Sequence, residues 1–520
     1  MPMRYDVAVI GTGAGGGTLA YALAPTGKKL LILERGGILP REKENWDPGA
    51  VFARARYKTD EIWYDRHGRA FHPSTYYYVG GNTKVYGAAL LRLRCEDFGQ
   101  VRHSGGISPA WPISSEDMAP WYTKAERLYS VHGQRGVDPT EPPGEPYAHP
   151  PVAHEPRIRE IVDRIAKLGL HPFPLPLGVR LNEQHPEQSQ CIRCDTCDGF
   201  PCLVNAKADS HTTCILPALR HPNVTLLTHA RVTRLLTNAS GLSVTAIEAE
   251  VDGRPERFEA DIVVVACGAI NSAALLLRSA NDRHPRGLAN GSDQVGRNYM
   301  CHLSSAILSV SNRPNPTRFQ KTFGLNDFYF KGPGFDYPMG HVQLLGKTKR
   351  ERLEAYAPFL TPGPALDFVA AHSIDWWITS EDLPDPENRV TLTRGGGICL
   401  AYTPNNQEGH TRLRAVLRGI IHASGADFRF FPGISVFSKR IPLADVAHQV
   451  GTVRFGLDPK TSVLDMNCKA HDLDNLYVAD GGFFCSSAAV NPALTIISNA
   501  LRVGAHLCER LGVPPPDIPQ

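Results

Sequence analysis

The stretch YDVAVIGTGAGGGTLAYALA, residues 5–24, constrains this chain more than any other. Tyr5 to Ile10 read as a short apolar strand, and Gly11, Gly13 and Gly16 then satisfy G-x-G-x-x-G ahead of an apolar helix. The first glycine permits a tight turn, the second lets backbone approach a pyrophosphate, and the third lets helix and strand pack closely. The helix N-terminus offers free N–H groups and a positive dipole end to a diphosphate. A second apolar strand, KLLILERGG, carries Glu34 about 20 residues on, where a carboxylate can accept hydrogen bonds from a ribose. The pattern predicts an α/β fold that binds a dinucleotide. Alone it does not separate FAD from NAD.

A chain of 520 residues, 42% hydrophobic and 21% charged, can bury the large core that such a fold needs. Its net charge of +3 supplies no basic surface for a run of phosphates, which excludes nucleic acid as a partner. No apolar run approaches the ~20 residues of a membrane-spanning helix, and MPMRYDVAVIG enters its first strand without room for a signal peptide. A cytoplasmic protein is therefore expected.

In a reducing compartment the segment CIRCDTCDGFPC, with Cys191, Cys194, Cys197 and Cys202, reads as metal or redox chemistry before it reads as disulfides. Its C-x2-C-x2-C-x4-C spacing is close to a ferredoxin run, although the last spacer is one residue longer and Pro201 precedes the final cysteine. An iron–sulfur cluster is the first reading and zinc or another metal the second. Free thiols supporting a tight loop, or disulfides, stay open.

Farther along, YYYVGGNT holds another glycine turn, and HARVTRLLT reads as a strand near Val232. DIVVVACGAINSAALLLRSA reads as a buried strand, a small-residue turn and a helix. NLYVADGGFFCSSAAVNPALT gives a strand ending at Asp480, a loop, and a helix beginning near Asn491 and Pro492. Together with VGRNYMCH and HQVGTVRFG, and in this order, these segments resemble the glucose-methanol-choline (GMC) family of FAD-dependent oxidoreductases nearly end to end. WPISSEDMAPWYTKAERLY and PENRVTL resemble its pyranose oxidase and sugar dehydrogenase branch.

The resemblance implies a Rossmann-type FAD-binding domain built from residues 1–100, 200–310 and 446–520, with a discontinuous α+β substrate-binding domain from 101–199 and 311–445. Gly11, Gly13 and Gly16 would hold the pyrophosphate, Glu34 the adenosine ribose, and Val232 the adenine through its backbone. Gly81, Asn82 and Thr83 would lie beside the isoalloxazine, while Asp480, Gly481, Asn491, Pro492 and Thr495 would meet the ribityl chain and flavin pyrimidine. Several relatives attach FAD through a histidine in the glycine-turn segment; here it reads NTKVYG, so noncovalent FAD is expected.

His448, in HQVGTVRFG, would accept the hydroxyl proton while hydride leaves the carbon for flavin N5, and Asn491 would donate to the substrate oxygen. The expected substrate is a sugar, glycoside or other secondary alcohol, with oxygen, a quinone or a redox protein as electron acceptor. A lyase retaining FAD without redox, and oxidation of a steroid or simple alcohol, are the alternatives. Two features stay open: the aromatic loop NPTRFQKTFGLNDFYFKGPGFDYPMGH, as a pocket cover or an ordinary long β-connection, and the pair Trp376–Trp377, as pocket lining or core.

Overall fold

The computed structural model describes residues 4–354, 361–428 and 436–516. Strand β1 (Arg4–Ile10) is buried along most of its length because it has parallel neighbours on both edges and helices on its faces. One neighbour is β2 (Leu30–Leu33), the other the long strand Arg254–Val265. Val224–Leu227 extends the sheet beyond β2, and Leu476–Val478 pairs with the far end of Arg254–Val265. Antiparallel strands Val244–Val251 and Ala230–Thr237 complete seven strands. Gly11, Glu34, Ala266 and Ala479 all follow carboxyl ends of the parallel strands, the edge where open α/β sheets bind ligands.

The second layer is a six-stranded antiparallel sheet centred on Leu303–Val310, Ser373–Ser380 and His341–Leu344. Helices Pro156–Ala166 and Gln407–Ala423 cover one face, packing Ile158, Ile161, Leu413 and Leu417 on Ile307, Val342, Trp376 and Ile378. Alternation then turns Ala306, Gln343 and Trp377 to the other face, over the first layer. The two adjacent tryptophans therefore part company: Trp376 fills the core and Trp377 lines the cavity between the layers. The aromatic loop divides likewise, with Phe323–Leu325 joining the second sheet and Lys321 facing the cavity.

Two segments lie differently from the expected domain ranges. Leu303–Val310 belongs to the second sheet, so the chain leaves the nucleotide layer near 302. Helix Ser115–Leu128 docks on the first core, where Tyr122 Oη meets Thr495 Oγ1 at 2.8 Å and Tyr129 Oη, just beyond the helix, meets Thr18 Oγ1 at 2.8 Å. Residues 1–3, 355–360, 429–435 and 517–520 of those ranges lie outside the described residues.

Candidate active site

The turn after β1 needs glycine on conformational grounds, since Gly11 has φ +103° and a Cβ there would sit 2.3 Å from the Ala266 carbonyl oxygen. Helix α1 (Ala14–Leu23) follows, with Gly13 at its N-cap and no side chain satisfying its first N–H groups. A Cβ on Gly13 would meet nothing within 4 Å, so this end of the helix opens into space. That space is an elongated cavity of about 1320 Å³, running from Glu34, Arg35 and Val232 past Gly11 and Gly13 to Gly81, Asn82, Thr83, Asp480, Gly481 and finally His448, Asn491 and Pro492.

Most expected cofactor contacts line this cavity. Two do not. Gly16 packs behind the turn, where a Cβ would fall 2.1 Å from the Gly11 carbonyl oxygen, so it serves helix–strand packing. Thr495 is fully buried and bonded to Tyr122, so it backs the wall without reaching the cavity. A bulge between Val232 and Arg234 interrupts the ladder beside the expected adenine position.

The two expected carboxylates also hold the cradle together. Glu34 Oε2 accepts from the Thr12 N–H at 3.1 Å and the Thr12 hydroxyl at 2.5 Å, and Oε1 accepts from the Gly36 N–H at 2.9 Å. Burial pushes the Glu34 carboxyl up, against the pull of those donors. Asp480 accepts from the Gly482 and Gly268 N–H groups and from the Ser272 hydroxyl. Thr12 Oγ1 in turn accepts from the Gly80 N–H at 3.0 Å, linking the two glycine turns. Thr12→Val should therefore leave a buried carboxylate short of one donor and orphan the Gly80 N–H. The expected cost is about 2–4 kcal/mol, read by chemical denaturation.

At the far end, a two-residue antiparallel ladder sets Met300 opposite Val450 and Cys301 opposite Gln449. The next residues on each side are His302 and His448. Their Nδ1 atoms lie 2.9 Å apart, and His302 Nε2 is 3.1 Å from the Ser487 carbonyl oxygen. A carbonyl only accepts, so His302 carries its proton on Nε2 and, as a neutral ring, offers a bare Nδ1. His448 must then donate from Nδ1, which leaves its Nε2 bare. Asn491 Nδ2 donates to that Nε2 at 3.3 Å, and Gln343 Nε2 donates to Asn491 Oδ1 at 3.1 Å. One carbonyl thus orders the direction of every hydrogen bond from Ser487 to Gln343.

Both rings are held neutral. Burial pushes His302 down to about 4. Burial, then coulombic repulsion against His302, Lys321 and His341 that a proton on His448 would meet, pushes His448 well below the ordinary imidazole value. Trp377 leans on His448 with ring centroids 4.9 Å apart. The result is an unprotonated, oriented imidazole nitrogen beside an amide donor, at the end of a dinucleotide-sized cavity.

Residues 74–304 and 430–500 match the GMC oxidoreductase family. Across 96% of its length the chain is 31% identical to paromamine 6'-oxidase of Streptomyces fradiae, covering 90% of that protein. The chain belongs to the GMC oxidoreductase family. It is also 31% identical, over 98% of its length, to 92% of 6'''-hydroxyparomomycin C oxidase of Streptomyces lividus. The fold matches pyridoxine 4-oxidase from Mesorbium loti with a TM-score of 0.67 at 19% identity, covering 97% of this chain and 99% of that one. As a GMC enzyme the chain is an oxidoreductase acting on alcohol groups, and GMC oxidoreductases bind FAD.

FAD fits the cavity of this GMC chain: uncapped N–H groups and an open Gly13 face the middle, and His448 and Asn491 close the end. The metal expectation is not supported. Among the described residues no three His, Cys, Asp or Glu side chains are arranged to hold a metal ion, and Cys191, Cys194, Cys197 and Cys202 are free thiols. The loop is closed by other means. Lys207 Nζ donates to the Cys197 and Phe200 carbonyls at 2.7 Å each, and Cys202 Sγ accepts from the Ala206 N–H. Burial raises the Cys191 thiol to about 11 and the Cys197 thiol further.

Sequence reasoning did not find His302 or Gln343. His302 ends the quoted VGRNYMCH segment, so the signal was present without a reason to single it out. Gln343 sits in a strand whose facing depends on its register with Trp377.

Proposed function

We propose that this chain oxidises the carbinol carbon of a sugar, glycoside or other secondary alcohol, with FAD held noncovalently and His448 as the base. The observation that carries this reading is the bare Nε2 of His448, fixed through His302 and the Ser487 carbonyl and facing the same cavity as the glycine cradle. When bound, FAD supplies the hydride acceptor. The substrate hydroxyl gives its proton to His448 Nε2, and Asn491 Nδ2 donates to the substrate oxygen, holding the carbinol in one orientation. Gln343 keeps the Asn491 amide turned for that task.

Noncovalent attachment is supported by the NTKVYG segment, where Lys84 is buried and drawn to Asp209 at 3.0 Å. A sugar-like donor is supported by the two aminoglycoside-named relatives. The nucleotide layer would carry the cofactor and the antiparallel layer the substrate. Oxygen, a quinone or a redox protein would take the electrons away. The test is anaerobic addition of aminoglycosides, sugars, polyols and simple alcohols to the purified yellow protein. Bleaching by an alcohol supports oxidation, and a bound flavin that no alcohol bleaches points to the non-redox alternative. Acid precipitation that leaves the yellow colour with the protein pellet would overturn noncovalent binding.

A further inference from the structure

The four-cysteine loop carries one residue that its thiols obscure. Asp198, between Cys197 and Cys202, lines the cavity that contains His448 and Asn491. Its Oδ2 accepts from Lys321 Nζ at 3.1 Å and from the Gly346 N–H at 3.0 Å. Among the described residues its Oδ1 has no hydrogen-bond partner. Lys321 also lines the cavity, with its side chain 5% exposed, and its Nζ lies 5.5 Å from the Trp377 ring centroid. That ammonium has three N–H donors and spends one on Asp198. Trp377 borders the cavity and leans on His448, while its indole Nε1 is itself buried and has no hydrogen-bond partner among the described residues.

Gly87 lets this pair pack against its backbone. A Cβ on Gly87 would fall 2.2 Å from Lys321 Nζ and 2.4 Å from Asp198 Oδ1, so no side chain fits there without displacing both. A buried ion pair with spare donors and a spare acceptor is costly unless something completes its hydrogen bonds. Here the spare positions sit in the same cavity as the base.

We propose that Asp198 and Lys321 form a second anchoring point, which grips a hydroxyl or ammonium substituent away from the carbinol held by His448 and Asn491. The enzyme then selects polyhydroxylated or amino-substituted donors over monofunctional alcohols. This inference rests on the cavity being an alcohol-oxidising site. It also gives the cysteine loop a job: positioning a carboxylate in the substrate cavity.

The experiment compares anaerobic flavin reduction by paromamine, methyl glucoside and 1-butanol in the wild type, Asp198→Asn and Lys321→Met, with FAD content and melting temperature as folding controls. The wild type is expected to favour the better of the two sugars over 1-butanol by at least about 100-fold in kcat/KM, because a site built to bond a polar group rejects an analogue lacking it. Asp198→Asn should cut that preference about 10- to 100-fold, mostly through KM. A larger loss with paromamine than with methyl glucoside identifies an ammonium as the group gripped, and equal losses identify a hydroxyl. A wild type that prefers 1-butanol, or variants that lose all three donors in equal proportion, would overturn the anchor while leaving alcohol oxidation standing. Failure of every alcohol in the wider panel to bleach the wild type would remove the underlying reading, and the anchor with it.

Discussion

His448→Ala is expected to lower the rate constant for anaerobic flavin reduction by about 10²- to 10⁴-fold, the usual contribution of a general base, while the protein stays yellow. The cavity stretch that would hold FAD is lined by Gly11, Gly13, Gly81 and Asp480, none of which bonds to His448, so cofactor content should be unaffected. The loss should fall on kcat and kcat/KM together, because the missing interaction belongs to the transition state. His448 is also the middle link of the ordered chain. Removing it leaves His302 Nδ1 without its donor and Asn491 Nδ2 without its acceptor. A variant that lost FAD, or turned over normally, would show that the imidazole has another role.

Gly15→Ala should be as damaging by a different route. A Cβ there would lie 1.6 Å from the Ala479 carbonyl oxygen, 2.8 Å from its carbonyl carbon and 3.3 Å from Asp480 Cα. All three are backbone atoms, so no side chain can swing aside. Helix α1 would have to retreat from the loop that carries Asp480, widening the cradle and breaking its packing. The expected result is loss of FAD and a destabilisation of about 3 kcal/mol or more, at the upper end of overpacking penalties. Gly13→Ala, two residues away, is the comparison: its Cβ meets no protein atom within 4 Å, so it should fold with near-normal stability. Any FAD it loses then measures the cofactor's own need for that space.

The glycine turn, the second apolar strand and the segments around His448 and Asn491 were legible because each is a local pattern. Glu34 was legible only in part. Its type and spacing mark a nucleotide site, but its bonds to Thr12 and Gly36 show that it also fastens the turn to the end of β2. The partners that orient the chemistry were not legible. His302 and His448, 146 residues apart, meet because a two-residue ladder brings their segments together, and no local periodicity encodes that contact. Trp376 and Trp377 show the same limit, since alternation says that they face opposite ways but only the sheet's neighbours say which way is in.

The cysteines mislead for a related reason. A spacing rule counts residues between thiols but not the directions in which they point, and the loop from Cys191 to Cys202 is shaped by Lys207 and the Val85 carbonyl, which accepts from the Gly199 N–H at 3.0 Å. Thr495 follows the same lesson on a helix: it lies one turn beyond Asn491, yet Tyr122 takes its hydroxyl from behind the wall.

A neutral His448 takes the substrate proton on Nε2 as the Asn491 amide turns its N–H from that nitrogen to the substrate oxygen. The pH dependence of the anaerobic flavin-reduction rate constant tests this most directly, using the best alcohol donor under saturating conditions. Protonation of His448 would remove the base, and burial with its charged surroundings holds that protonation well below the ordinary imidazole value of 6.5. The rate constant should therefore stay level as pH falls from about 8 through the ordinary histidine pKa of about 6.5, and decline only at lower pH. An acid limb centred at or above that value would mean that the base is not this buried imidazole.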